Sequence, residues 1–138
     1  MKASTVSDCH VIDLPKIYIP SGNITAVNNE VEIPFAIKRV YYLYDVPGGE
    51  SRGGHAHKAL QQLIVAASGS FDISLNDGVN KITFSLSRPY KGLYVPPGLW
   101  RELNNFSSGA ICLVLASTFY TEDDYIRDFA QFIEYKSK

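Results

Sequence analysis

The sequence predicts an all-β fold, a sandwich or jelly-roll barrel closed by a short C-terminal helix. Three observations predict it. Short apolar and β-branched runs recur at fairly even spacing. Clusters of turn-forming residues stand between them. One stretch near the end changes from alternation to helical spacing.

The strand-like runs come first. Residues 23–27 alternate and are β-branched, and residues 35–44 (FAIKRVYYLY) are rich in aromatic and β-branched side chains. Residues 62–67, 70–75, 81–86, 92–95 and 110–116 follow. Turn signals separate them at Pro47-Gly48-Gly49, Ser68-Gly69-Ser70, Asn76-Asp77-Gly78, Pro96-Pro97-Gly98 and Ser107-Ser108-Gly109. Asn76-Asp77-Gly78 between two alternating runs predicts a hairpin. In the first of those runs Phe71, Ile73 and Leu75 face inward, and in the second Ile82, Phe84 and Leu86 do. Near the end, Tyr125, Ile126, Phe129, Phe132 and Ile133 have helical spacing, so a helix is expected over residues 125–135. Thr121 is its expected N-cap, with the acidic residues 122–124 as its first turn.

The bulk numbers bound the function classes. A length of 138 residues fits one domain, residues 1–138, able to bury a core without staples. With 46% hydrophobic and 20% charged residues the composition is that of an ordinary globular protein. A formal net charge of −1 gives no basic stripe for nucleic acid or an anionic membrane. The first residues lack the apolar core of a secretion signal, and no apolar run is long enough to cross a bilayer. Cys9 and Cys112 form no CxxC pair, which argues against a zinc or redox motif and points to a cytoplasmic setting. Cys112, in an apolar run, reads as a buried small hydrophobe.

The residues that carry chemistry cluster at 48–58 (GGESRGGHAHK). Two His at i and i+2 on a strand point the same way and can converge on one ligand. A surface loop explains the glycines, but not two of the three His of the chain placed there beside an Arg. The third, His10, reads as incidental. Tyr41 and Tyr42 adjoin on a strand, so only one faces inward, and the same holds for Lys38 and Arg39. Asp123-Asp124 is expected to be a helix first turn rather than an acid pair, and no carboxylate is placed beside His55 by sequence.

This cluster resembles the first cupin motif: Gly49, then His55-Ala56-His57, then Gln62, then Gly69. The second motif is matched by Pro96-Pro97-Gly98, Arg101 and Asn105. The departures matter. In metal cupins a Glu and a His join the His pair as ligands, and here those positions hold Gln62 and Arg101. Gln is a poor neutral ligand, and a guanidinium has no lone pair to donate and repels a divalent cation. Glu102 is the one nearby carboxylate, and alternation turns it away. No metal and no other cofactor is therefore expected. A metal-free pocket of two imidazoles, an inward Tyr and a buried Arg suits proton abstraction next to a ketone and reprotonation at the neighbouring carbon.

The chain also resembles the nucleotide-sugar 3,4-ketoisomerases, the WxcM-like proteins, over about residues 17–135. Segments 33–42 (IPFAIKRVYY), 52–58 (RGGHAHK) and 92–100 (GLYVPPGLW) carry the likeness, continued by Leu115-Ala116-Ser117, Tyr120 and Asp124-Tyr125-Ile126-Arg127. The resemblance implies a double-stranded β-helix (cupin) fold and a homodimer, in many members with exchanged N-terminal strands. It implies a dTDP-linked 4-keto-6-deoxyglucose substrate and its 3-keto isomer as product, for 3-amino-3,6-dideoxy sugars of surface glycans such as lipopolysaccharide O-antigen or S-layer glycan. By the same resemblance His55 is the base on the C3 proton, with His57 and Tyr41 moving protons or holding the enediolate, and Arg52 holds the diphosphate. Arg39, Gln62, Tyr94 and Trp100 are expected in the substrate site, Trp100 as a wall. Many members carry an Arg where this chain has Ser21, and either His or Arg where it has Arg101. The resemblance links these two positions to the C4 configuration of the product, and Arg101 leans to gluco over galacto. Two rival readings remain at this stage. One is a 3,5-epimerase-like cupin, which uses a His–Asp base pair with a Tyr acid. The other is a non-catalytic cupin that only binds a nucleotide sugar.

Overall fold

The structure, a computed structural model, describes residues 4–138. Ten strands form two antiparallel five-stranded sheets. The strands are β1 (His10–Asp13), β2 (Arg39–Leu43), β3 (Arg52–His57), β4 (Gln62–Ser68), β5 (Phe71–Asn76), β6 (Lys81–Leu86), β7 (Lys91–Val95), β8 (Trp100–Asn104), β9 (Ile111–Ala116) and β10 (Tyr125–Ile126). One sheet runs β1-β7-β4-β9-β2 and the other β10-β3-β8-β5-β6. Among the described residues one α-helix, α1 (Phe129–Ser137), follows. This is the expected all-β double-stranded β-helix with a short C-terminal helix.

Alternation along the strands builds three apolar layers. Between the sheets lie Ile64, Phe71, Ile73, Leu75, Leu93 and Val114 with their neighbours. Complete burial of each such side chain contributes about 1.5–3 kcal/mol. The opposite face of the first sheet presents Leu63, Val65 and Leu115, covered by Leu14, Ile33 and Phe35 from the N-terminal segment. The outer face of the second sheet presents Ala56, Trp100 and Ile126, and Phe132 of α1 seals it.

Three expectations need correction. Residues 23–27 form no strand; only an isolated bridge joins Ile17 to Ile24. With most of their side chains exposed, that alternation has no sheet to serve. Ile82 is 38% exposed although the pattern put it inward, because β6 is an edge strand with no core above its first half. The helix begins at Phe129, not Tyr125, and its cap is Asp128, whose side chain accepts from the Ala130 amide. Thr121 precedes a 3-10 turn, Glu122–Asp124. Residues 125 and 126 are strand, pairing with His57 and Ala56 of β3.

Residues 4–6 and α1 are both anchored beside the β5–β6 turn. Asp77, in the β5–β6 turn, accepts from the amides of Val79 and Asn80 and, at 2.9 Å, from Val6. Lys136 of α1 donates to the Ser4 carbonyl at 2.7 Å.

Candidate active site

Strand β3 lies between β10 and β8, and register decides what meets across it. His57 stands opposite Tyr125, and His55 opposite Arg101. A register shift between Gly53 and His55 interrupts the β3–β8 ladder. Gly54 sits inside it at φ +70°, a conformation that side chains other than Gly rarely take, and the resulting bulge re-aims the strand just before the two His.

A cleft of about 300 Å³ opens between the sheets. Arg39, Tyr41, Arg52, His55, Gln62 and Arg101 line it, together with Tyr125 and Arg127 and an apolar floor that includes Ile64, Leu103 and Val114. Six of the residues expected in the site thus share one cavity. Of the adjacent pairs, Tyr41 and Arg39 face inward, while Tyr42 and Lys38 are exposed.

His57 does not line the cleft. It is fully buried behind His55, with the two Nε2 atoms 3.2 Å apart. Behind His57 stands a carboxylate: its Nδ1 donates to Asp124 Oδ2 at 2.9 Å. Asp124 is itself held, because Oδ1 accepts from the Ala59 amide at 2.7 Å and its backbone carbonyl accepts from the Lys58 amide at 2.9 Å. Burial, then the Arg101 cation, hold the His57 pKa far below the usual imidazole range. His57 is therefore neutral. With its Nδ1 proton on Asp124, its Nε2 lone pair faces His55. The Tyr125 ring packs on both imidazoles, at 4.4 Å from His57 and 5.2 Å from His55 between centroids.

Arg101 is fully buried and, among the described residues, meets no carboxylate. It donates to Gln62 Oε1 and, at 3.0 Å, to the Leu99 carbonyl, and its Nε has no partner. Burial lowers its pKa to about 10, which still leaves it charged at neutral pH. Gln62 passes the polarity on: its Nε2 donates to the Tyr41 hydroxyl at 2.9 Å. Arg39 adds a second cation under-served by the protein. Its Nε and Nη2 are buried without a partner, and its guanidinium lies 5.2 Å from the Tyr41 ring and 5.7 Å from the Tyr120 ring. Arg127 stacks 4.1 Å over Tyr125 and pairs with Glu122. Uncompensated guanidinium groups around a cleft favour an anionic occupant.

The donor set does not suit a divalent ion. Among the described residues no three His, Cys, Asp or Glu side chains are grouped to hold one. Arg101 and Gln62, bonded to each other, stand where a cation would need ligands.

Three expected site residues lie elsewhere. Trp100 points to the outer face, because Arg101 beside it points inward; it packs on Phe129 and Phe132 and donates to Glu102 at 2.9 Å. Tyr94 points outward between the inward Leu93 and Val95, and its hydroxyl donates to Gln61 at 2.7 Å. Ser21 is exposed in the connection bounded by the Ile17–Ile24 bridge and does not reach the cleft. Conversely, Asp124 and Tyr125, where the sequence predicts helix, are 3-10 turn and strand and belong to the site. The usable signal is Asp128, a better N-cap immediately before Phe129, which frees residues 125 and 126 to be strand and Asp124 to end the turn before it.

A family model described as FdtA: WxcM-like, C-terminal matches residues 7–137. The TDP-4-oxo-6-deoxy-alpha-D-glucose-3,4-oxoisomerase of Aneurinibacillus thermoaerophilus is 44% identical over 128 residues, 93% of this chain and 92% of that one. The solved TDP-quinovose 3,4-ketoisomerase WlaRB of Campylobacter jejuni is 46% identical with a TM-score of 0.89, covering 94% of this chain and 99% of its own. A His-to-Asn variant of the 3,4-ketoisomerase QdtA of Thermoanaerobacterium thermosaccharolyticum, solved with TDP-4-keto-6-deoxyglucose, is 35% identical with a TM-score of 0.93 over 96% of each chain.

Proposed function

The chain belongs to the FdtA family of WxcM-like C-terminal domains and is a sugar 3,4-ketoisomerase, an intramolecular oxidoreductase; we propose the substrate, residue roles and product that follow. The substrate is dTDP-4-keto-6-deoxy-D-glucose, and the carbonyl moves from C4 to C3 by acid/base steps without a metal. The observation that carries this reading is one cleft holding the His55 imidazole, the Tyr41 hydroxyl and the Arg101 guanidinium.

The steps balance without a redox partner. His55 takes the proton from C3, and its electron pair becomes the C3–C4 enediolate. Tyr41 donates to O4 and regains a proton from O3. The His pair returns its proton to C4, leaving the carbonyl at C3. Arg101 stabilises the developing oxyanion from a fully buried position, where a fixed charge acts strongly. Arg39 and Arg52 hold the diphosphate, which supplies the anion that the unpartnered Arg39 nitrogens lack.

The product is the gluco epimer, ready for amination at C3. Supporting this are Arg101 in the cleft and 46% identity to a protein named for TDP-quinovose, a gluco sugar. The active form is a cytoplasmic homodimer of single-domain chains. Exposed Val40 and Tyr42 on edge strand β2 and Tyr44 just after it, with Ile17, Tyr18 and Ile24, offer apolar surface for a second copy. Among the described residues no helix is long and apolar enough to cross a membrane.

The His57–Asp124 pair is a feature that a 3,5-epimerase would share. Turnover in heavy water separates the readings. The ketoisomerase exchanges at C3 and C4 with carbonyl migration, an epimerase at C3 and C5, and a binding protein at neither. Adding a 3-aminotransferase and reading C4 by NMR then gives the epimer. Exchange at C5, or no carbonyl migration, ends this reading.

A further inference from the structure

We propose that Asp124 is a positioning residue: it fixes the tautomer of His57 so that His55, His57 and Asp124 form a proton relay leading from the cleft through the buried His57 to a partly buried carboxylate. This rests on the reading of His55 as the base. The geometry supplies the direction. Asp124, as a carboxylate, can only accept, so His57 Nδ1 must carry the proton. His57 Nε2 is then a lone pair, 3.2 Å from the Nε2 of His55. The buried imidazole is the acceptor and the cleft-lining one the donor.

Charge explains why such an arrangement is needed. His57 is faced by His55 on its own strand, by Arg101 from β8, by Arg39 from β2 and by Tyr125 and Arg127 from the β10 segment. Every charge among these is positive. A proton arriving from C3 makes the His pair cationic in that setting, and Asp124 is the carboxylate in contact with it. The step is balanced: the C3–H bond breaks and a bond to His55 forms, while the proton of His55 Nε2 shifts to His57 Nε2. The His57 imidazolium is then paired with Asp124. Reversal returns the proton to the sugar.

Asp124→Asn tests the tautomer with almost no change of shape. Its Oδ1 must still accept from the Ala59 amide, so its NH2 faces His57 Nδ1. A donor there forces the proton onto His57 Nε2 and points the relay the wrong way. We expect kcat to fall at least ~10²-fold, as wrong-tautomer variants of His–carboxylate pairs do. KM and TDP affinity should stay within about 3-fold, and Tm close to wild type, because the cleft does not change. In 15N NMR the wild-type His57 should be the Nδ1–H tautomer and the variant Nε2–H. A variant that keeps more than a third of wild-type kcat overturns the proposal. So does a wild-type His57 protonated on Nε2, a measurement that needs no variant and stands even if Asp124→Asn misfolds. Should the wild type not isomerise the 4-keto sugar at all, the functional reading fails, while the tautomer still judges the relay geometry.

Discussion

Gln62 holds Tyr41 as a donor: its Nε2 gives a hydrogen bond to the phenolic oxygen at 2.9 Å, while its Oε1 is taken by Arg101. An amide clamped this way cannot flip, so the Tyr41 hydroxyl proton is left for an acceptor in the cleft. Burial raises the pKa of Tyr41, which keeps that proton in place at neutral pH. Tyr41→Phe should therefore lower kcat by about 10²-fold or more, the range for a lost acid or oxyanion donor. TDP affinity should change little. It should also cost about 1–3 kcal/mol in denaturant melts, because the Gln62 amide loses its partner. Steady-state kinetics beside TDP titration checks this, and unchanged kcat removes Tyr41 from the mechanism.

His55→Asn should fold normally and abolish turnover. His55 is only partly buried and lines the cleft, so the core does not depend on it. Deuterium incorporation at C3 should vanish along with product, as read by NMR. Near wild-type activity would refute the base assignment.

Stability should decline in mild acid through His57. Burial and the neighbouring Arg101 lower its folded-state pKa, whereas in the unfolded chain it titrates near an ordinary ~6.5. Below that pH the unfolded chain binds the extra proton, so stability is lost as pH falls. The limit is about 1.4 kcal/mol per pH unit from this one group. Urea melts between pH 8 and 5 should show the slope, and His57→Gln should flatten it. An identical slope in the variant assigns the effect to other groups.

The thiols should be silent in the native protein. Cys9 and Cys112 are buried, and burial pushes both pKa values to about 12, so thiolate is scarce. Ellman titration at pH 8 should count no fast thiol before denaturation and two after it. A fast native thiol would contradict the packing of Cys9 against the core.

Activity should survive exhaustive chelation, since Arg101 and Gln62 occupy the positions of two ligands. The assay is turnover after treatment with excess chelator and gel filtration. Loss that one divalent ion restores would overturn the metal-free reading.

Most of the architecture was legible because alternation is a direct image of burial. Phe71, Ile73 and Leu75 read as inward, and each is at most 1% exposed. The convergence of the His pair was legible because positions i and i+2 on a strand share a face, whereas Gln62 and Arg101 came from the resemblance to the cupin motifs. What the sequence hid were relations between distant strands. Asp124 lies 67 positions from His57, and the short 3-10 turn and two-residue strand that position it carry too little pattern to stand out from helix spacing. Trp100 and Tyr94 were misplaced for a simpler reason. A large aromatic fits either side of a strand, and only the inward neighbour, Arg101 for one and Leu93 for the other, decides which.

The bond from Lys136 to the Ser4 carbonyl has a consequence for engineering. Ser4 and Lys136 are in contact, so a chain joined by a short peptide between these two positions could close into a ring with little distortion of the fold. Such a circle would have fewer conformations to gain on melting, and it should outlast the linear chain on heating.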